Sequence, residues 1–72
     1  MGILPLSFDQ FPQYNESAAV AVANELNELL KQAAKDSPEN IEALNDLRSD
    51  MIASPDLYLS DTLIEEIRPH NK

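Results

Sequence analysis

The sequence contains no cysteine, which excludes disulfide bonds, thiolate catalysis and zinc sites built from cysteine ligands. It also contains a single glycine, Gly2. Tight hairpin turns and phosphate-binding glycine loops therefore have almost no residues from which to form. Helices need no glycine in their interior, so this scarcity favours an all-α fold. A chain of 72 residues is long enough for only one such domain.

Long apolar runs are absent as well. The longest stretch of small apolar residues covers residues 18–23, far short of the roughly 20 that a membrane helix requires. The first eight residues are apolar, but they lack a basic region, are interrupted by Pro5 and run into Asp9, unlike a signal peptide. These features predict a cytoplasmic protein without membrane contacts.

Basic side chains are few. Thirteen acidic residues face five basic ones, and the formal net charge is −8. Such a charge repels nucleic-acid phosphates and anionic lipid surfaces and attracts basic protein surfaces. The sequence therefore predicts a protein partner with a basic surface and no direct binding to nucleic acid.

Residues equipped for catalysis are missing too. The only histidine, His70, stands two residues from the last residue of the sequence, with nothing nearby to fix its tautomer or exclude water. No serine lies in a nucleophile elbow. Residues 46–56 and 56–66 lack the glycine of a calcium-binding loop, and no Glu-x-x-His pair exists for a di-iron site. We expect no enzymatic activity, no catalytic residue, no cofactor and no specific metal site.

Residues 1–14 form an apolar arm in which Pro5 and Pro12 prevent a regular element. Ser7 and Gln10 have the spacing of a capping box, which predicts one helical turn between the two prolines. The arm either folds back over its own helices, the alternative we favour, or serves as an interface or an exchanged segment between subunits. The candidate interface residues are Leu4, Leu6, Phe8 and Phe11.

Three helices are predicted. The first covers residues 15–35, with Asn15 as N-cap. Ser37 followed by Pro38 predicts that this helix stops and that a second covers 38–53. Ser54 and Pro55 repeat the signal, Ser60 caps a third helix over 61–68, and residues 69–72 are expected to fray.

Apolar residues recur at three- and four-residue spacing along each predicted helix, which predicts one buried face per helix. The short connection between the first two favours an antiparallel hairpin. Arg48 falls on the inward side of the second helix, with Asp61, Glu65 and Glu66 as candidate partners. The inward positions are Ala19, Val22, Leu26, Leu29, Leu30 and Ala33, then Ile41, Leu44, Leu47, Met51 and Ile52, then Leu63, Ile64 and Ile67.

A row of carboxylates forms the most informative charge pattern. Glu39, Glu42, Asp46 and Asp50 are spaced three, four and four residues apart, so they share one face of the second helix. Like charges at this spacing repel by about a few tenths of a kcal/mol per pair. The row is either an ordinary solvated face, the simpler interpretation, or a surface that docks a partner.

Two functions are consistent with these patterns. The first is a small acidic regulator or inhibitor that binds a basic protein, whose nucleic-acid ligand it could mimic, without catalysis. The alternative is a homodimeric structural or assembly module, antitoxin-like in its general character, in which a second copy completes the apolar surface.

Overall fold

The computed structural model describes residues 3–67. They form three helices, α1 (Glu16–Asp36), α2 (Ile41–Ala53) and α3 (Asp61–Ile67), with 3₁₀ turns at Phe8–Gln10 and Pro55–Leu57 and no strand within this range. The expected all-α three-helix architecture is confirmed. Arg68, the expected end of the third helix, and the tail 69–72 with His70 lie outside the described residues.

Helix α1 begins and ends at the predicted signals. The Asn15 side chain accepts a hydrogen bond of 2.8 Å from the Ala18 amide, which satisfies one of the free N–H groups of the first turn. At the other end the Ser37 amide donates to the Ala33 carbonyl at 3.0 Å, and Lys35 lies in the last turn, where its charge complements the helix dipole.

The start of the second helix was predicted wrongly. Helix α2 begins at Ile41, three residues after the expected start at Pro38. The Asn40 amide donates to the Ser37 carbonyl at 3.1 Å, so Pro38 and Glu39 form a turn. The fixed φ of proline suits the second position of a turn as well as the first position of a helix.

The end of α2 and the start of α3 lie where they were predicted. The Ser54 amide closes α2 by donating to the Asp50 carbonyl at 2.8 Å, and Pro55 opens a 3₁₀ turn. Ser60 then caps α3, because its hydroxyl accepts from the Leu63 amide at 3.2 Å. Ser54 and Pro55 thus end α2, and Ser60 caps α3, without any glycine.

Helix α1 is the centre of the core and packs against the arm, α2 and α3. Seven of the fourteen predicted inward positions are buried and five are partly buried, but Leu29 is 38% exposed and Ile41 40%, whereas Ala23, which was not predicted, is buried. The main buried cluster consists of Leu6, Phe11, Ala19, Val22, Ala23, Leu26, Leu30, Met51, Leu59 and Leu63.

The first two helices form the expected hairpin. Ile41 and Leu44, at the start of α2, share a groove with Leu30 and Ala34, near the end of α1. Met51, near the end of α2, belongs to the cluster that contains residues from the middle of α1. Helix α2 therefore runs back along α1.

Candidate functional site

The arm is fixed to α1 by one side chain, Asn27. Its Oδ1 accepts from the Leu6 amide at 2.8 Å, and its Nδ2 donates to the Leu6 carbonyl at 2.9 Å. These are the two bonds that a neighbouring strand would supply to this backbone residue, and they spare partly buried polar groups from being left unpaired. Sequence reasoning missed Asn27. The available signal was a polar residue between the inward-facing Leu26 and Leu30.

A second contact holds the arm from α2. The Nε of Arg48 donates to the Leu4 carbonyl at 2.8 Å. The sequence placed Arg48 on the inward side of the second helix but proposed carboxylates of the third helix as its partners. The observed partner is a backbone carbonyl, so Arg48 positions the arm.

The four candidate interface residues of the arm have different surroundings. Leu6 and Phe11 are 4% and 0% exposed, whereas Leu4 is 72% and Phe8 40% exposed. The arm thus folds back over its own helices, the alternative favoured from the sequence. Only Leu4 and Phe8 remain available for another molecule.

Glu25 makes a contact that the periodicity of α1 did not indicate. Its Oε2 accepts from the Ser60 amide at 2.7 Å, although Glu25 is not among the inward positions predicted for this helix. Because Ser60 is the N-cap of α3, this carboxylate fixes the start of α3 against α1 and satisfies a free N–H group there.

The end of the arm is tied to the second 3₁₀ turn by a hydrogen bond from the Tyr14 hydroxyl to the Asp56 carboxylate. The pKa of Tyr14 is raised from its ordinary 10.0 to about 12, first by burial and further by the hydrogen bond to the Asp56 carboxylate and by the negative charge of that group. Both effects favour the neutral phenol.

Titration of Tyr14 should report this contact. In a Tyr58→Phe variant, which leaves Tyr14 as the only tyrosine, absorbance of the phenolate should appear around pH 12. Adding Asp56→Asn should lower that midpoint only in part, since burial is the larger cause. The folded state binds the proton more tightly, so this stabilisation is present below pH 10 and is lost as pH rises towards 12. A midpoint near 10 in the Tyr58→Phe protein would contradict the contact.

The acidic row keeps three of its four predicted members on one helix face. Glu42, Asp46 and Asp50 follow at four-residue spacing on α2, and all are exposed. Glu39 is also exposed but lies in the turn before the helix. Within residues 3–67, no side chain or backbone group forms a hydrogen bond or ion pair with these four carboxylates.

Positive charge lies elsewhere. All thirteen acidic residues fall within residues 3–67, with only Lys31, Lys35 and Arg48 as basic residues. Lys31 lies 3.7 Å from Glu28 on α1, and Arg48 binds the arm. The outer face of α2 therefore presents negative charge without interleaved cations.

An open apolar groove lies between the arm, α1 and the start of α2. Its volume is about 540 Å³. Asn27, Lys31 and Pro38 also contribute to its lining. The apolar walls are formed by Ile3, Pro5, Leu30, Ala34, Ile41 and Leu44.

Comparison with known proteins gives no assignment. No protein-family model, curated protein or solved structure matches this chain. In the part of the chain that the structure describes, no group of three or more acidic or histidine side chains is arranged to hold a metal ion. Among the helices of residues 3–67, none combines the length and apolarity needed to cross a bilayer.

Proposed function

We propose that this protein is a small acidic regulator that binds a basic surface of a partner protein through the outer face of α2, without catalysis. The observation that carries the proposal is the row of Glu42, Asp46 and Asp50, exposed and uncompensated by any cation of the described residues. A field of one sign speeds the approach of a partner of opposite sign and sets its orientation.

The row is unfavourable for the helix that carries it. Adjacent carboxylates four residues apart repel each other by about a few tenths of a kcal/mol. Asp50 adds a negative charge near the negative end of the helix dipole, and the last turn of α2 has no basic residue. A surface that lowers the stability of its own domain is one that binding would explain, since stability and function often oppose each other.

The charge density of the row favours an ordinary basic protein surface over mimicry of nucleic acid. With a rise of about 1.5 Å per residue, one carboxylate every four residues corresponds to roughly 6 Å per charge. A nucleic-acid strand carries a phosphate about every 3.4 Å. The partner need not be a nucleic-acid-binding protein.

The homodimer receives less support. Its main motive was an apolar arm in need of a cover, but Leu6 and Phe11 are already buried within one chain. Two copies that met through α2 would also bring like charges together. A basic partner requires neither an uncovered arm nor contact between like charges.

Reversal of the row should separate binding from stability. In a Glu42→Lys/Asp46→Lys variant we expect the free energy of unfolding to change by less than about 1 kcal/mol. The attraction that Asp50 gains is offset by repulsion between the two introduced lysines and by the loss of Glu42 from the first turn of α2. Association with the partner should slow by roughly tenfold or more at low salt. Urea denaturation gives the first quantity. Capture from host lysate, followed by association rates with the purified captured protein, gives the second.

The matched control is Asp9→Lys/Glu66→Lys, which changes the net charge equally at exposed positions outside α2. A partner retained by this control and lost by the row reversal would support the proposal. Equal retention by both variants, or association that does not depend on salt, would remove the α2 face from consideration.

A further inference from the structure

A cleft lined by aromatic rings, which we call the aromatic cleft, lies between the arm and the start of α1. Three of the four aromatic residues of the chain line it: Phe8, Phe11 and Tyr14. Its volume is about 360 Å³, at the small end of the roughly 300 to 1,000 Å³ typical of ligand sites. A cleft of this size suits a small ligand.

The rings are brought together by two bonds of the arm backbone. The Phe11 amide donates to the Phe8 carbonyl at 3.0 Å, and the Tyr14 amide donates to the Phe11 carbonyl at 3.2 Å. Turns of this kind bring side chains three residues apart towards the same side of the chain. The Tyr14 hydroxyl is also bound to Asp56. A ligand would therefore meet an ordered wall and would not have to order the arm on binding.

Phe8 is the ring that a ligand can cover. Phe8 is 40% exposed, whereas Phe11 is completely buried. Apolar surface left in water costs free energy, which a molecule packed against the ring would recover. Phe8 therefore supplies an open aromatic face at the edge of the cleft.

The charge of the cleft is negative. Among the described residues that line it, the two charged ones are Asp9 and Glu16, both exposed. Within residues 3–67, neither carboxylate has a hydrogen bond or an ion pair. None of the basic residues in this range, Lys31, Lys35 and Arg48, lines the cleft, and Lys31 is roughly 22 Å along α1 from Glu16 at about 1.5 Å per residue.

Aromatic faces combined with carboxylates recognise organic cations. The negative face of a ring attracts a cation, and a carboxylate adds a charge-assisted hydrogen bond. A guanidinium group suits both, because it is planar, stacks on rings and pairs with carboxylates, and it is more weakly hydrated than an ammonium group. The cleft therefore favours guanidinium compounds over amines.

We infer that the aromatic cleft binds the guanidinium group of a small ligand, which stacks on Phe8 and donates to the carboxylates of Asp9 and Glu16. The cleft is formed by the arm and α1, whereas the acidic row lies on α2. It is a second site, and the inference does not rest on the proposed function.

The probe is arginine amide with an acetylated amino group, titrated into the full chain at low salt and followed by the amide resonances in nuclear magnetic resonance spectra. We expect saturable shifts that are largest for Phe8, Asp9 and Glu16. The corresponding citrulline compound has the same shape without the charge and should bind at least roughly tenfold more weakly, because the cation–π contact and the charge-assisted bonds are lost together. The lysine compound should lie between the two.

Three substitutions test the named contacts. Phe8→Leu keeps an apolar side chain but removes the ring, and it should lower the affinity for the arginine compound roughly threefold or more. Asp9→Asn and Glu16→Gln should each have an effect of roughly the same size. The matched control is Asp36→Asn, which removes one negative charge from an exposed position at the other end of α1 and should change the affinity by less than about twofold. Circular dichroism establishes that each variant is folded.

Several outcomes would overturn the inference. Equal affinity for the arginine and citrulline compounds would exclude recognition of the cation, and unchanged affinity in Phe8→Leu would exclude stacking on the ring. Shifts spread along α2 without a maximum at the cleft would mean only a general attraction to negative charge.

A last comparison separates the cleft from the acidic row. Glu42→Lys/Asp46→Lys should still bind the arginine compound, and a protein captured through the α2 face should bind Phe8→Leu as tightly as the unmodified chain. Loss of that protein in Phe8→Leu would overturn the small ligand, because the guanidinium group would then belong to the partner itself.

Discussion

Replacing Phe11 with alanine is expected to lower the free energy of unfolding by about 3 to 5 kcal/mol. The Phe11 side chain is completely buried and belongs to the core cluster, half of whose residues come from α1, so its removal leaves a cavity that the surrounding residues can fill only in part. A single core in a chain of this size rarely supplies more than about 3 to 5 kcal/mol. The variant should therefore be close to unfolded at room temperature, as measured by urea denaturation followed by circular dichroism.

Phe8 provides the matched control, because it is the same residue type in the same arm but is 40% exposed. Phe8→Ala should change the free energy of unfolding by less than about 1 kcal/mol. Phe11→Leu, which retains most of the apolar volume, should give an intermediate loss that can be measured if the alanine variant does not fold. Equal small losses for Phe8→Ala and Phe11→Ala would mean that the arm does not contribute to the core.

The second large loss of stability is expected from a substitution in α1. Leu26 is 0% exposed, and its helix contacts the arm, α2 and α3. Leu26→Ala should lower the free energy of unfolding by about 2 to 5 kcal/mol, through lost transfer energy and the cavity that remains. Thermal and urea denaturation of the purified variant measure this loss.

Leu29 is the comparison for Leu26. Both residues were predicted to face inward, but Leu29 is 38% exposed. Leu29→Ala should therefore cost less than about 1 kcal/mol. A ranking in which Leu29→Ala destabilises as much as Leu26→Ala would show that the two faces of α1 have been assigned incorrectly.

Local signals in the sequence predicted the helix ends well. Asn15 and Ser60 cap helices by binding amides three residues later, and Gln10 accepts from the Ser7 amide at 3.0 Å within the predicted turn. Each of these bonds joins residues close in sequence, so the residue types and their spacing contain the necessary information.

Contacts between distant residues were not predictable in the same way. Asn27, Glu25 and Arg48 bind backbone groups 21, 35 and 44 residues away. Helical periodicity gives the direction of a side chain relative to its own helix, but it does not tell which other segment lies there. Glu25 was not among the predicted inward positions of α1, yet its carboxylate binds the amide of Ser60, the N-cap of α3.

The candidate site also has parts that local spacing predicts and parts that depend on distant segments. Helical spacing was enough to place Glu42, Asp46 and Asp50 on one face, but Glu39 was placed on the helix because Pro38 fits a helix start and a turn equally well. The groove could not be predicted, since its walls come from three segments that meet only in the folded chain.

The bonds that hold the arm also bear on the order in which the molecule folds. Helices α1 and α2 are joined by a short connection and can pair early, whereas the Arg48 contact with Leu4 closes a loop of 44 residues, which carries a larger entropic cost. We therefore expect the Leu4 end of the arm to dock late, after the transition state, so that Arg48→Ala accelerates unfolding much more than it slows folding. Stopped-flow kinetics would show the opposite partition if the arm docked early. Until this end docks, Leu30 and Ile41, which share the groove with Ile3 and Pro5, remain open to water, which makes the interval before docking the period in which the chain is most exposed to aggregation.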